Sequence, residues 1–216
     1  MESCEHMKEY YHLPFLSLYH ADCMGIMKQY PDYYFDLAIV DPPYGLKRFD
    51  NLNGNCSKFA TKKLQKWDVK PNDEYFNELF RISKNQIIWG GNNFNLPTSE
   101  YFIIWHKSNK LNFTFAMCEQ AWTNVRKPAK MFTYMEEAGR KDKTHPTQKP
   151  VELYRFLLKN YAKENDKIFD SHLGSGSIAI ACDDLGYDLT ACEIDEDYFN
   201  KANKRLEQHR KQQRLF

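Results

Sequence analysis

Apolar residues arrive along this chain in short runs and helical spacings rather than in long blocks. Phe35 to Val40 (FDLAIV) is a nearly continuous apolar run of strand length. It stops at Asp41-Pro42-Pro43, because proline cannot continue a central strand. Phe15 to Tyr19, Gln86 to Trp89, Tyr101 to Trp105, Lys167 to Asp170 and Asp188 to Glu193 read as further strands, with weaker candidates around Ala121 and at Met131 to Tyr134. Helical spacings lie between them. Pro71 opens a helix predicted to run through Lys84, with Tyr75, Phe76, Leu79, Phe80 and Ile82 on one apolar face. Pro150 opens another, in which Leu153, Phe156, Leu157 and Tyr161 share a face. Asp22 to Gln29, Ser177 to Leu185 and Glu196 to His209 complete the helices, while residues 45–70 are polar and read as loop. This alternation predicts an α/β sandwich with a mostly parallel sheet, whose ligands sit at the carboxyl ends of the strands.

Composition narrows the class. The 216 residues suit one domain with a real core, and 42% apolar with 27% charged residues exclude a disordered or fibrous chain. No apolar run approaches the roughly 20 residues of a membrane helix, and the amino-terminal residues lack the pattern of a secretory signal. The six cysteines, at 4, 23, 56, 118, 182 and 192, include no CxxC pair and no metal-like spacing, which points to reduced thiols, a cytoplasmic location and no metal.

The net charge of +1 is a cancellation. Residues 45–70 carry Lys47, Arg48, Lys58, Lys62, Lys63, Lys66 and Lys70 against Asp50 and Asp68. Residues 104–149 carry nine Lys and Arg, among them Lys107, Arg126 and Lys127, against four acids. Residues 181–200 hold seven acids and no cation. Basic stretches rich in Asn, Ser, Phe and Trp suit a phosphate backbone, and suit a solvated loop surface as well.

Two strand ends carry chemistry. At the first, Asp170 ends a strand and Ser171-His172-Leu173-Gly174-Ser175-Gly176-Ser177 turns into a helix. Gly174, Gly176 and Ala179 fit G-x-G-x-x-A, and Glu193 ends the next strand 19 residues after Gly174. Such glycines let backbone approach a ligand, and the acid suits ribose hydroxyls. On this evidence a nicotinamide enzyme, another nucleoside binder and a turn needed only for packing all stay open. Only 42 residues follow Gly174, so the rest of the sheet has to come from the amino-terminal part, in a circularly rearranged order. At the second end, Asp41-Pro42-Pro43-Tyr44 joins a carboxylate, a rigid turn with free carbonyls and an aromatic face. That set suits holding an amino group on a stacked base.

With DPPY ahead of the glycine turn and THPTQKP (144–150) between them, the chain resembles the β class of amino-directed DNA methyltransferases. SLYHADC (17–23), IIWGGNNF (87–94), FIIWHK (102–107), FAMCEQAW (115–122) and GYDLTACEIDEDY (186–198) extend the resemblance from about Leu16 to Arg205. It implies a Rossmann-like methyltransferase sandwich with a seven-stranded sheet, one catalytic domain over residues 1–216, and S-adenosylmethionine as cofactor. An aspartate opening the tetrapeptide is similar to the adenine-N6 branch more than to the cytosine-N4 branch. By the same resemblance Asp41, Pro42, Pro43 and Tyr44 are catalytic: Asp41 and the Pro42 carbonyl accept from the adenine amino group, and Tyr44 stacks on a base flipped out of the duplex. Asp170, His172, Gly174, Ser175, Gly176 and Ser177 are implied to hold the methionine end of the cofactor and Glu193 its ribose. Asp22 and Cys23 match the segment near its adenine, and Thr147, Gln148 and Lys149 the segment that closes over the methionine moiety. Lys47, Arg48, Lys107, Arg126 and Lys127, in basic loops at about 45–70 and 107–144, are implied to contact double-stranded DNA, with no separate target-recognition domain. A homodimer is implied too. The chain departs from the family at Asp170-Ser171-His172, where Asp-Pro-Phe is usual, so His172 replaces an aromatic that packs on the cofactor.

Overall fold

In the computed structural model, residues 9–13, 15–45, 69–107, 116–134 and 148–213 are described. In chain order the elements are β1 (Glu9–Leu13), β2 (Leu16–His20), α1 (Cys23–Met27), β3 (Phe35–Val40), α2 (Asp73–Ile82), β4 (Ser83–Trp89), β5 (Phe102–His106), β6 (Cys118–Thr123), β7 (Lys130–Thr133), α3 (Val151–Tyr161), β8 (Lys167–Asp170), α4 (Ser177–Leu185), β9 (Asp188–Glu193) and α5 (Glu196–Gln213). The strands form one sheet in the order β1-β2-β9-β8-β3-β4-β6-β5-β7. The run β2-β9-β8-β3-β4 is parallel throughout. β6 runs against both β4 and β5, so β5 and its parallel neighbour β7 again point the same way as the run.

The sheet therefore has nine strands among the described residues, not the seven the resemblance implies. β1 adds an antiparallel edge by pairing with β2 across a short turn, Glu9 opposite His20 and Leu13 opposite Leu16. β8 and β9 are the last strands in chain order yet lie between β2 and β3, which is the rearranged order predicted from the position of the glycine turn.

Both sheet faces are covered, which is why the central strands read as continuous apolar runs. Leu37, Ile39, Ile87, Trp89, Ile168 and Leu189 pack under α3, α4 and α5 through Leu153, Leu157, Ile178, Ala181 and Leu206. On the other face Ala38, Val40, Ile88 and Phe169 pack under α1 and α2 through Ile26, Met27, Phe76, Leu79 and Ile82.

Element ends differ from the prediction where side chains compete. α2 begins at Asp73, two residues after Pro71, because the Asn72 side chain caps it by accepting from Tyr75 N at 3.1 Å. It ends at Ile82 rather than Lys84. Ser83 already pairs with Phe35 across β3, and its hydroxyl donates back to Leu79 O at 2.5 Å. Among the described residues no helix is long and apolar enough to cross a membrane.

Candidate active site

Five neighbouring parallel strands end on one edge of the sheet, and each carboxyl end delivers a residue. β2 leads to Asp22, β9 ends at Glu193, β8 at Asp170, β3 leads to Asp41, and β4 to Gly90. Crowded strand ends of this kind leave a crevice where the chain reverses its order in the sheet, here between β3 and β8.

Asp41 is held at both oxygens. The Tyr44 hydroxyl donates to Oδ1 at 2.7 Å, and the Lys149 ammonium donates to Oδ2 at 2.5 Å. Pro42 is buried and Pro43 part-buried, so the turn between acid and ring is rigid. The Tyr44 ring lies against the backbone of Gly90. A Cβ built there would stand 2.3 Å from Tyr44 Cε1, and Gly90 has φ 64°, so both space and conformation require glycine. Phe94 meets the Tyr44 ring edge-on, with centroids 6.0 Å apart.

Lys149 continues the contact inward. Its side chain is 3% exposed, stands over the Trp89 ring at 5.1 Å, and reaches Glu119 Oε2 at 3.2 Å. Glu119 Oε1 in turn lies 2.5 Å from Lys107 Nζ. Asp41, Lys149, Glu119 and Lys107 thus form a row of alternating charges that sums to zero. Burial opposes the Lys149 cation, yet the Asp41 and Glu119 carboxylates hold it above its ordinary acidity constant. Burial likewise opposes the Glu119 anion, and Lys149 and Lys107 overcome it, drawing its carboxyl down to about 2.

The glycine turn is built around two acids. Glu193 Oε2 accepts from Gly174 N and Oε1 from Asp195 N, both at 2.9 Å, while Asp170 Oδ1 accepts from His172 N at 3.0 Å. Ala21 N donates to Glu193 O at 3.0 Å, which brings Asp22 beside them. Gly174 and Gly176 both have positive φ, and the turn opens α4. Ser177 Oγ donates to the Lys149 carbonyl at 2.7 Å, so the two halves of the site are stitched together, and Arg205 holds Ser175 O and Ser177 Oγ from α5. Burial pushes Asp170 up to about 8 and raises Glu193 as well. Cys23, part-buried beside Asp22, is pushed up to about 12 by desolvation and stays a thiol. Among the described residues no cation pairs with Asp22, Asp170 or Glu193. Such an acid-rich cleft fits a ligand that brings its own positive charge and hydroxyl groups, as a sulfonium nucleoside with an amino-acid tail does.

The structure therefore brings together Asp22, Cys23, Asp41, Pro42, Pro43, Tyr44, Gln148, Lys149, Asp170, His172, Gly174, Ser175, Gly176, Ser177 and Glu193. Lys107 joins them at the carboxyl end of β5. Arg126 and Lys127 are placed elsewhere: β6 runs antiparallel and carries them to the amino-terminal end of β4, where the Lys127 ammonium donates to Asn160 O. Thr147, Lys47 and Arg48, with most of the first basic loop and residues 108–115 and 135–144 of the second, lie outside the described residues. Sequence reasoning gave no role to Glu119, Gly90 or Trp89, although all three fall in the quoted segments FAMCEQAW and IIWGGNNF. An acid within a strand-length segment otherwise rich in apolar residues is the available signal for Glu119.

The model of the N6/N4 DNA methylase family (N6_N4_Mtase) matches residues 52–204, and the chain belongs to that family. The chain is 24% identical to the Type II methyltransferase M.HpaI of Haemophilus parainfluenzae, over 87% of this chain and 73% of the relative. Solved structures share the fold, and two illustrate the likeness. One is an M1.HpyAVI–SAM complex, with TM-score 0.56 and 21% identity over 88% of this chain and 98% of that one. The other is the PvuII DNA methyltransferase (cytosine-N4-specific), with TM-score 0.58 and 12% identity over 94% of each chain.

Proposed function

We propose that this DNA methylase transfers the methyl group of S-adenosylmethionine to the exocyclic N6 amine of an adenine turned out of double-stranded DNA. The observation that carries the reading is the Asp41 carboxylate, fixed by Tyr44 and Lys149 at the rim of an acid-rich nucleoside cleft.

Each Asp41 oxygen has one donor in hand and a lone pair to spare, so the carboxylate still has capacity to accept an amine hydrogen. The Pro42 carbonyl offers the second acceptor, and a pair of acceptors holds the nitrogen while positive charge develops on it. Because the Tyr44 hydroxyl is tied to Asp41, the stacking ring and the acceptor keep one mutual orientation. Positioning of this kind replaces translational and rotational freedom that an unbound amine would lose in the transition state. Asp22 and Glu193 supply the negative field, and Asp170 joins them in supplying acceptors for the cofactor. When bound, the cofactor supplies an electrophilic methyl group on a cationic sulfur.

Lys107 stands at the same edge as Asp41, and the basic stretch 46–68, with six Lys and Arg against two Asp, follows Tyr44 closely in the chain, so DNA contacts are assigned to this side. Phosphate contacts of that sort weaken steeply with salt.

Labelled methyl transfer to unmethylated DNA, followed by nucleoside analysis, tests the reading. The expected product is N6-methyladenine, and Asp41→Ala abolishes it while retaining cofactor binding. Label in N4-methylcytosine overturns the base assignment, and no label in DNA overturns the activity.

A further inference from the structure

A short hydrogen-bonded chain runs from the α2 face of the sheet to the glycine turn. The Tyr75 hydroxyl lies 2.6 Å from Ser171 Oγ, and Ser171 Oγ lies 2.7 Å from His172 Nδ1. Tyr75 is 3% exposed and Ser171 4%. Among the described residues each hydroxyl has no other side-chain or backbone partner. The His172 ring meets Tyr75 edge-on, with centroids 5.6 Å apart, and the residue itself is part-exposed beside Gly174.

Counting donors fixes the direction of this chain. Two hydroxyl hydrogens must be placed on two contacts. If His172 carried its proton on Nδ1, that proton would go to Ser171, the Ser171 hydrogen to Tyr75, and the Tyr75 hydrogen to nothing. A buried donor left without a partner disfavours that arrangement by about 5-fold or more. If Nδ1 is bare, Tyr75 donates to Ser171 and Ser171 donates to Nδ1, and the one hydrogen left over lies on Nε2 of the part-exposed His172, which is not among the buried polar atoms without a partner. The proton of the neutral ring then sits on Nε2, which has no partner among the described residues.

We infer that His172 presents a fixed Nε2–H donor to the cofactor cleft and is a positioning residue for the carboxylate at the amino-acid end of the cofactor. This rests on the function proposed above. Ring protonation does not intervene near neutrality, because burial draws His172 down to about 4, with only Asp22 opposing. An apolar aromatic at this position covers the ligand without choosing an orientation. Here the ring adds a directional contact to one end of it, in a cleft whose acids favour the opposite charge. The donor thus selects a ligand that carries both an amino and a carboxylate group over one that ends at the sulfur.

Two measurements test this. In the unliganded protein, two-bond nitrogen–proton spectra of the imidazole show the Nε2–H tautomer, and Ser171→Ala yields a mixture. A wild-type ring protonated on Nδ1 overturns the inference. By calorimetry, His172→Phe weakens S-adenosylhomocysteine about 10- to 100-fold, the range of a hydrogen bond to a charged group. It leaves methylthioadenosine, which lacks the amino-acid end, bound as in the wild type, and that binding also shows that the variant folds. His172→Gln, which keeps a donor near the Nε2 position, recovers most of the lost affinity. Equal losses for both ligands, or none for either, overturn the inference. Failure of the wild type to bind either ligand is a different result and overturns the proposed function instead.

Discussion

Replacing Glu119 by glutamine removes one charge from the buried row and keeps its shape. Glu119 lies 3.2 Å from Lys149 Nζ and 2.5 Å from Lys107 Nζ. At an effective dielectric of about 20, the longer pair alone has a gross attraction of about 5 kcal/mol, part of which desolvation cancels. The acidity constant gives a net figure. The carboxyl falls from its ordinary 4.5 to about 2 in the fold, which at about 1.4 kcal/mol per unit amounts to roughly 3 kcal/mol of stability. Because the folded value is depressed, that stability is present above the unfolded value and is lost as pH falls toward about 2. Glu119→Gln is therefore less stable than the wild type by about 3 kcal/mol at neutral pH, and the gap narrows to about 1.4 kcal/mol near pH 3. Urea unfolding of both proteins across that range measures it. A gap below about 1 kcal/mol at neutrality, or one of constant size, would refute the coupling of Glu119 to its two lysines. The variant also leaves Lys149 with Asp41 as its remaining counter-ion in the row, so methyl transfer slows while cofactor affinity stays near the wild-type value.

Three further outcomes follow from the same geometry. Gly90→Ala puts a methyl group into the Tyr44 ring at a left-handed backbone position. It costs about 2 kcal/mol or more in unfolding experiments and lowers turnover, because Tyr44 must move off Asp41. Asp170→Asn relieves a buried acid whose folded value is raised to about 8. A raised acid costs stability as pH climbs from its unfolded value near 4 through about 8, so the variant is more stable than the unliganded wild type at neutrality, on the order of a few kcal/mol. It binds the cofactor more weakly, and a destabilised variant with unchanged cofactor affinity would contradict both statements. Arg126→Ala and Lys127→Ala leave DNA affinity and its salt slope unchanged in filter binding, since β6 carries both residues to the far edge of the sheet. A loss of about one unit of slope in either variant would place DNA there instead.

Much of the architecture was legible. β3, β8, α4 and β9 have the predicted bounds, because strands covered on both faces and a helix bounded by glycines leave strong local patterns. β1 was not legible, since its partner is β2 rather than anything within its own five residues. The boundary between α2 and β4 was misplaced because pairing of Ser83 with Phe35 ends the helix where local propensity continues it.

The site divides in the same way. DPPY, the glycine turn and Glu193 declare themselves because each chemistry needs a strand end, a rigid turn or bare backbone within a few residues, and those requirements are written contiguously. Local pattern also determined the fold class and the rearranged strand order. The contact of Lys149 with Asp41 joins residues 108 positions apart, and Glu119 and Lys107 come from two further strands. Only packing of the sheet decides that these four charges meet, where Asp41 and Glu119 keep the buried Lys149 charged and the two lysines keep Glu119 ionised. Only the sheet direction separates Lys107, beside Asp41, from Arg126 and Lys127 at the opposite edge. Composition counts all three cations alike, whereas the field at the amine depends on distance and dielectric, and the tertiary structure determines both.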